Sequence, residues 1–317
     1  MRRKKIGFQI DDSTRIKGPF VATIGFFDGV HRGHQYLIKE VIEAAKTYGL
    51  KSMVVTFDNH PREVLDPHFH PQLLSSEKEK LWQIGSTGVD RCGMLHFTPV
   101  MARMSAREFM QRVLLEQLDV RMLVIGYDNR FGHDRTETFE DYERYGKEMG
   151  ITVMRAAPFT LDSGVTVSSS AIRKLLLAGD VETARQCQGQ YYMMTGHVVE
   201  GRQTGRKLGF PTANIQLDSE YKLVPKPGVY SVKVQVEGSR KIRHGVMNIG
   251  SCPTFDGESL TLEVHIINYH RSIYHKLVTV FLCRRLRSER KFDDVALLVE
   301  QMSEDVRMTE ELLENNP

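Results

Sequence analysis

Along the first half of the chain, short apolar runs alternate with stretches whose apolar residues recur every three or four positions. Phe20 to Ile24 and Ser52 to Phe57 read as buried strands, and Gln35 to Tyr48 carries Leu37, Ile38 and Val41 at helical spacing. Capping-box patterns, Ser76 with Glu79 and Ser105 with Glu108, open helices predicted to reach Ile84 and about Gln117. Met122 to Ile125 and Thr152 to Met154 read as strands, and Thr138 to Met149 and Ser170 to Leu177 as helices. This alternation predicts an α/β, Rossmann-like domain with a parallel sheet covered on both faces. Ligands of such sheets bind beyond the carboxyl ends of the strands, where strand order reverses. Gly25–His34, Asp58–Pro61 and Gly126–Arg135 fall there.

The texture changes near Ala178–Asp180. From Tyr191 onward the segments are short, alternating and separated by Gly and Pro: Gly196–Glu200, Gly228–Val236, Arg243–Ile249, Leu260–Ile267 and Leu277–Leu286. Such spacing predicts an antiparallel barrel or sandwich. A final helix, with Asp293 as its cap and a stripe of Val295, Leu298, Met302 and Val306, packs on that core. The domain boundary is placed near 187, giving domains 1–187 and 188–317.

Composition narrows the partners. The chain has 317 residues, room for two cores, and a net charge of only +3, which calls for neither nucleic acid nor an anionic membrane. No apolar run approaches the ~20 residues that span a bilayer. The basic start, Met1 to Lys5, is followed by a stretch too short and too polar for a signal peptide. Cys92, Cys187, Cys252 and Cys283 form no CxxC pair, so a reducing cytoplasm is expected rather than a disulfide framework or a zinc site.

The candidate chemistry begins at Thr23-Ile24-Gly25-Phe26-Phe27-Asp28-Gly29-Val30-His31-Arg32-Gly33-His34, a strand-to-helix turn. Backbone N–H groups at a helix N-terminus make a ready anion site, and imidazoles can stand in for the lysine of other phosphate loops. Neither Gly-x-x-x-x-Gly-Lys-Ser/Thr nor Gly-x-Gly-x-x-Gly occurs. Ser168-Ser169-Ser170-Ala171-Ile172-Arg173 opens a later helix; with the histidine turn it makes a second wall for phosphate, and alone it is a capped helix start.

In the second half, Gly196 to Gly201 leads through a basic loop, Arg202–Lys207, into Leu208-Gly209-Phe210-Pro211-Thr212-Ala213-Asn214. This fits a mobile loop over phosphates, with Thr212 and Asn214 as oxygen ligands for a hard cation, and equally a hairpin with a solvated basic tip.

Gly25-Phe26-Phe27-Asp28 with His31-x-Gly33-His34 and a later Ser-Ser-x-x-Ile-Arg resembles the nucleotidyltransferase superfamily. Thr56-Phe57-Asp58-Asn59-His60-Pro61 and Gly126-Tyr127-Asp128-Asn129-Arg130-Phe131-Gly132 are similar to the FMN adenylyltransferase module of bacterial bifunctional riboflavin kinase/FAD synthetases. The resemblance implies that His31 and His34, with Gly25, Phe27, Asp28 and Gly33, hold ATP phosphates. Ser168, Ser169 and Arg173 would stabilise the leaving pyrophosphate, and Asp58, Asn59, His60 and Asp128 would flank flavin and ATP.

The second half resembles the riboflavin kinases through Leu208–Asn214, Gly228-Val229-Tyr230, Asn248-Ile249-Gly250, Pro253-Thr254-Phe255, Leu262-Glu263-Val264-His265 and Leu286–Phe292. By that resemblance Gly209, Thr212 and Asn214 bind Mg2+-ATP, and Glu263 takes the proton from the ribityl hydroxyl. Arg287 meets flavin or nucleotide phosphate, or tethers the closing helix. The chain departs from the family at Asn129, where Phe is usual, Asn268, usually Asp, and His275, often Gly. The whole implies ATP-dependent synthesis of FMN and then FAD by an antiparallel β-barrel kinase domain and an adenylyltransferase domain. Its partners are small molecules (riboflavin, FMN and ATP), and the chain is expected to be a monomer or weakly self-associating. The competing class, a nucleotide sensor fused to an RNA-binding barrel, lacks the basic and aromatic stripes it needs.

Overall fold

The computed structural model describes residues 6–66, 68–127, 129–133, 136–161, 167–201, 204–254 and 257–314. They form two compact units, Met1–Pro71 with Glu77–Ser168, and Gln72–Ser76 with Ser169–Pro317.

In the first unit β1 (Gly7–Ile10), β2 (Phe20–Ile24), β3 (Lys51–Phe57), β4 (Arg91–Leu95), β5 (Val120–Ile125) and β6 (Thr152–Arg155) form one sheet. Its order is β1-β4-β3-β2-β5-β6, with every pairing parallel. Its helices are α1 (Arg32–Tyr48), α2 (Pro61–Leu65), α3 (Glu77–Ser86), α4 (Pro99–Ala102), α5 (Ala106–Phe109, running into a π-helical stretch Met110–Gln117) and α6 (Phe139–Met149).

The strand alternation decides which helices cover which face. Phe20, Ala22 and Ile24 with Met53, Val55 and Phe57 pack against Phe109, Met110, Leu114 and Tyr142 on one side. Val21, Val54, Cys92, Met122 and Val124 pack against Leu37, Ile38 and Val41 of α1 and Ile84 of α3 on the other. Both faces are therefore buried, as the near-continuous apolar runs of β2 and β3 require. The chain passes from β2 to β3 on one side, while β5 adds on the other. Strand order thus reverses at β2, and the turns after β2, β3 and β5 meet at that end of the sheet.

In the second unit α7 (Ser169–Ala178) and α8 (Val181–Gln188) precede β7 (Tyr192–Val199), α9 (Thr204–Lys207), β8 (Thr212–Leu217), β9 (Gly228–Val236), β10 (Ile242–Thr254), β11 (Gly257–Ile266), β12 (Leu277–Arg287) and α10 (Val295–Glu314). The six strands close into an antiparallel barrel in the order β10-β11-β8-β7-β12-β9. Met194, Val232, Val234, Met247, Ile249, Val264, Val280 and Leu282 are buried on these strands. The barrel, rather than a sandwich, is what forms. The basic loop expected to be mobile contains one helical turn, α9, and the Pro-anchored turn expected around Thr212–Asn214 is the start of β8.

The final helix differs from expectation in two details. Asp294, not Asp293, accepts the Ala296 N–H at 2.8 Å. Val295 is 61% exposed, so the packed stripe begins at Leu298. α7 and α8 belong to the barrel's unit, where Glu182 pairs with Arg284 of β12 at 3.1 Å.

Candidate active sites

The turn after β2 is wound tightly. Phe27, Gly29 and Val30 all take left-handed backbone angles (φ 54, 73 and 38) around a short 3-10 turn, Asp28–Val30. Gly29 adopts this freely, whereas Phe27 and Val30 are strained by roughly 1–3 kcal/mol each. Burial of both side chains holds them there. The turn delivers His31 as the N-cap of α1, its Nδ1 accepting the His34 N–H at 3.3 Å. That bond puts the ring proton of neutral His31 on Nε2. The His31 and His34 rings stack at 3.6 Å and 16°. Burial first, then the charges of His31 and Lys80, pushes the His34 pKa well below its ordinary value. The His34 ring is therefore uncharged near neutral pH, at the head of a helix whose N-terminus favours anions. Gly25, Phe27, Asp28 and Gly33 all lie within this turn or the first turn of α1.

The loop after β3 is held from within. Asp58 accepts from Gln9 Nε2 at 3.1 Å and pairs with His96 Nδ1 at 2.9 Å. Asn59 exchanges two hydrogen bonds with the backbone of Phe97, at 2.9 and 2.7 Å. His60 caps α2 through Nδ1, with Glu63 completing a capping box, and its ring meets Phe26 edge-on at 4.6 Å. These three side chains shape the rim. A cavity of about 620 Å³ is lined instead by Phe26, Phe57, Phe97, Phe109, Phe131 and Met101, among others. Its largely aromatic and aliphatic lining suits a planar fused-ring ligand. The motif drew attention to the polar residues of the loop and passed over Phe57 and Pro61, which line the cavity on either side of them.

Asp128 lies outside the described residues. Its neighbour Asn129, at the position where the family usually has Phe, donates from Nδ2 to the Ile24 carbonyl at 2.5 Å. It thereby ties the turn after β5 to the end of β2. A second cavity of about 500 Å³, lined by Tyr127, Asn129, Glu137, Phe139 and Arg155, opens beyond β5 and β6. Ser168 ends the first unit, while Ser169 and Arg173 open α7 in the second, where Arg173 Nε donates to the Gln72 carbonyl at 2.7 Å.

On the barrel, β8 and β11 pair so that Asn214 opposes Glu263 and Thr212 opposes His265. β10 pairs on the other side of β11, with Asn248 opposite Glu263. Their flanking partners Val264, Met247 and Ile249 are buried, so Thr212, Asn214, Glu263 and Asn248 share the opposite, outward face. That face is roofed by α10. A cavity of about 240 Å³ is lined by Thr212, Asn248, Glu263, His265 and Arg287 from the barrel side and by Leu298, Met302 and Val306 of α10. Thr212 Oγ1 donates to Glu263 Oε2 at 3.3 Å. Gly209 bends the chain into β8 at φ 87. Gly201 must be glycine-sized, because a Cβ there would lie 2.0 Å from Asn214 Nδ2. Arg287 lines the cavity but holds Asp305 of α10 through both carboxylate oxygens, at 2.8 to 3.2 Å. Of the two roles the sequence left to Arg287, the tether is the one seen here. Asn248 and Glu289, joined at 3.1 Å, complete the wall. They stand inside motifs noted in the sequence, which gave no sign that they turn toward Glu263.

Lys80 is the largest omission. It stands on α3, is 3% exposed, and donates to the carbonyls of Phe57 at 2.5 Å and Phe26 at 3.3 Å. In sequence it reads as one more charged position of a polar helix.

No helix among the described residues is long and apolar enough to cross a membrane. The FAD synthetase family model matches residues 13–171, and the riboflavin kinase family model matches residues 188–313. Bifunctional riboflavin kinase/FMN adenylyltransferases of Pseudomonas fluorescens, Escherichia coli K12 and Bacillus subtilis 168 are 38%, 34% and 35% identical to this chain, each over 90% of both chains. A Streptococcus pneumoniae crystal structure, described as a macrolide-efflux protein, aligns at TM-score 0.87 and 31% identity over 96% of this chain and 99% of that one. With the two family models following one another along a single chain, and relatives matching nine-tenths of its length, the chain belongs to the bifunctional riboflavin kinase/FMN adenylyltransferase family.

Proposed function

We propose that the chain makes FAD from riboflavin in two steps, each using its own ATP. The barrel phosphorylates riboflavin to FMN, and the sheet domain adenylylates FMN to FAD. The observation that carries this is the presence in each unit of a phosphate-type turn beside a separate cavity. We keep the functional division near 187; a first family match that ends at 171 and a second that begins at 188 support it.

In the kinase step the ribityl 5′-hydroxyl attacks the γ-phosphorus, its proton passes to Glu263, and ADP leaves. The carboxylate is suited to orienting the nucleophile for in-line attack. Thr212 and Asn214 are the residues that would hold Mg2+. A hydroxyl and an amide oxygen beside a carboxylate form a hard-oxygen set that leaves coordination positions for phosphate and water. When bound, the ion offsets charge on the transferring phosphate. Arg287 braces α10 over this cavity, and its reach to a phosphate of flavin or nucleotide depends on releasing Asp305.

In the adenylyl step an FMN phosphate oxygen attacks the α-phosphorus, the bond to the bridging oxygen breaks, and pyrophosphate leaves. His31 Nε2–H and His34 are placed to donate to the phosphates, with Gly25, Phe27, Asp28 and Gly33 shaping the turn. Ser168, Ser169 and Arg173 are assigned to the pyrophosphate. The isoalloxazine ring is assigned to the phenylalanine-lined cavity, with Asp58, Asn59 and His60 holding its rim. The setting is a cytoplasmic one, with small-molecule partners and a monomeric or weakly associating chain.

Incubation with riboflavin, ATP and Mg2+, followed by chromatography, tests the assignment. FMN followed by FAD is expected. FMN without FAD removes the adenylyl step, and no turnover at all removes both.

A further inference from the structure

A charged lysine buried inside a domain is costly unless its ammonium is fully engaged. The hydrogen bonds of Lys80 go to backbone carbonyls. Its two carbonyl partners are the last residue of β3, Phe57, and the second residue beyond β2, Phe26. The ammonium also lies 4.2 Å from the centroid of the Phe26 ring. Thr56 Oγ1 donates to the same Phe26 carbonyl at 3.0 Å. The peptide that leads into the strained Phe27–Val30 backbone is thus gripped by two side chains, one of them cationic.

We propose that Lys80 is a positioning residue for adenylyl transfer: it clamps the ends of β2 and β3 together, fixes the turn that presents His31 and His34, and sets a positive charge behind that turn. The proposal rests on the assignment of adenylyl transfer to the first unit. The charged and titratable groups facing Lys80 are Asp28 of the 3-10 turn, Asp58 beyond β3, Glu77 on its own helix, Cys92 of β4 and His34 of α1. Burial brings the Lys80 pKa down to about 8, with Asp28 the foremost of the groups acting against it. The ammonium is charged at neutral pH and discharges as pH rises through about 8. Loss of the proton removes one donor from the clamp and the positive charge from behind the turn.

The test uses the full chain, with FAD formation from FMN as readout and riboflavin phosphorylation in the same chain as control. In the parent, kcat for FAD formation falls as pH rises through about 8, while the kinase rate shows no such limb. Lys80→Met lowers kcat for FAD formation roughly 10²-fold at neutral pH, leaves KM for FMN and ATP within about 3-fold, and spares the kinase. Lys80→Arg keeps its donors and cannot discharge in this range, so the limb near pH 8 disappears while part of the activity is kept. A Lys80→Met chain within about 3-fold of the parent kcat overturns the proposal, as does a parent profile that stays flat through about pH 8. Should Lys80→Met unfold and lose both reactions, the parent profile and Lys80→Arg decide. A parent that makes no FAD defeats the assignment of the reaction rather than the role of Lys80.

Discussion

His275 holds φ at 63 and Asn268 holds φ at 55, so two departures from the family pattern occupy left-handed backbone. Asn tolerates this conformation, but a histidine Cβ does not sit there without cost. His275→Gly is expected to stabilise the second unit by about 0.5–1 kcal/mol, seen as a higher denaturant midpoint with an unchanged slope. Asn129 has a different explanation, since its amide bridges two turns that a phenylalanine could not join by hydrogen bonding. The residues proposed to react divide between the two units. His31→Ala should cut FAD formation from FMN by roughly 10²- to 10³-fold and leave FMN formation intact, while Glu263→Gln should do the reverse. Separate assays of the two half-reactions check this, and equal loss of both in a folded variant would refute it. At this scale the sequence was legible wherever a motif kept its chemistry within a few residues, as with His31 and His34 or Thr212 and Asn214. Lys80 was not legible, because its partners lie 54 and 23 residues away and are backbone carbonyls, which any side chain could carry.

Among the elements, α10 matters most for the proposed kinase site, because it roofs the cavity around Glu263 and is joined to the barrel by the Arg287–Asp305 pair. Asp305 is 2% exposed, and removing it leaves the guanidinium facing a poorly solvated space. Asp305→Ala should therefore cost about 3–5 kcal/mol and lower the kinase rate while FAD formation from supplied FMN persists. Thermal melts and paired assays decide this. Strong periodicity made β2, β3, β9 and α1 readable. β4 (Arg91-Cys92-Gly93-Met94-Leu95) and β1 show no alternation, and they are strands because a neighbour supplies the ladder. β8 was hidden for a related reason. The Pro-Thr-Ala-Asn that leads into it has turn chemistry, and pairing with β11 on one side and β7 on the other extends it.

For the molecule as a whole, the two proposed sites use no residue in common, and each cavity is lined within a single compact unit. An equimolar mixture of His31→Ala and Glu263→Gln chains should then convert riboflavin to FAD, with FMN released by one chain and taken up by the other. Failure of the mixture, with each half-reaction intact in its own chain, would mean that FMN does not pass through solution. The two units also differ in their exposure to misassembly. Among the described residues the barrel closes its ladder on itself, whereas the sheet ends in two open edges, β1 and β6, four residues each, with Arg155 as an exposed charge on β6. Open edges are where chains recruit one another into aggregates, and short, charged ones only slow that growth. A heat-stressed sample is therefore set to lose its FAD-forming half first and to pass through a stage in which it delivers FMN alone.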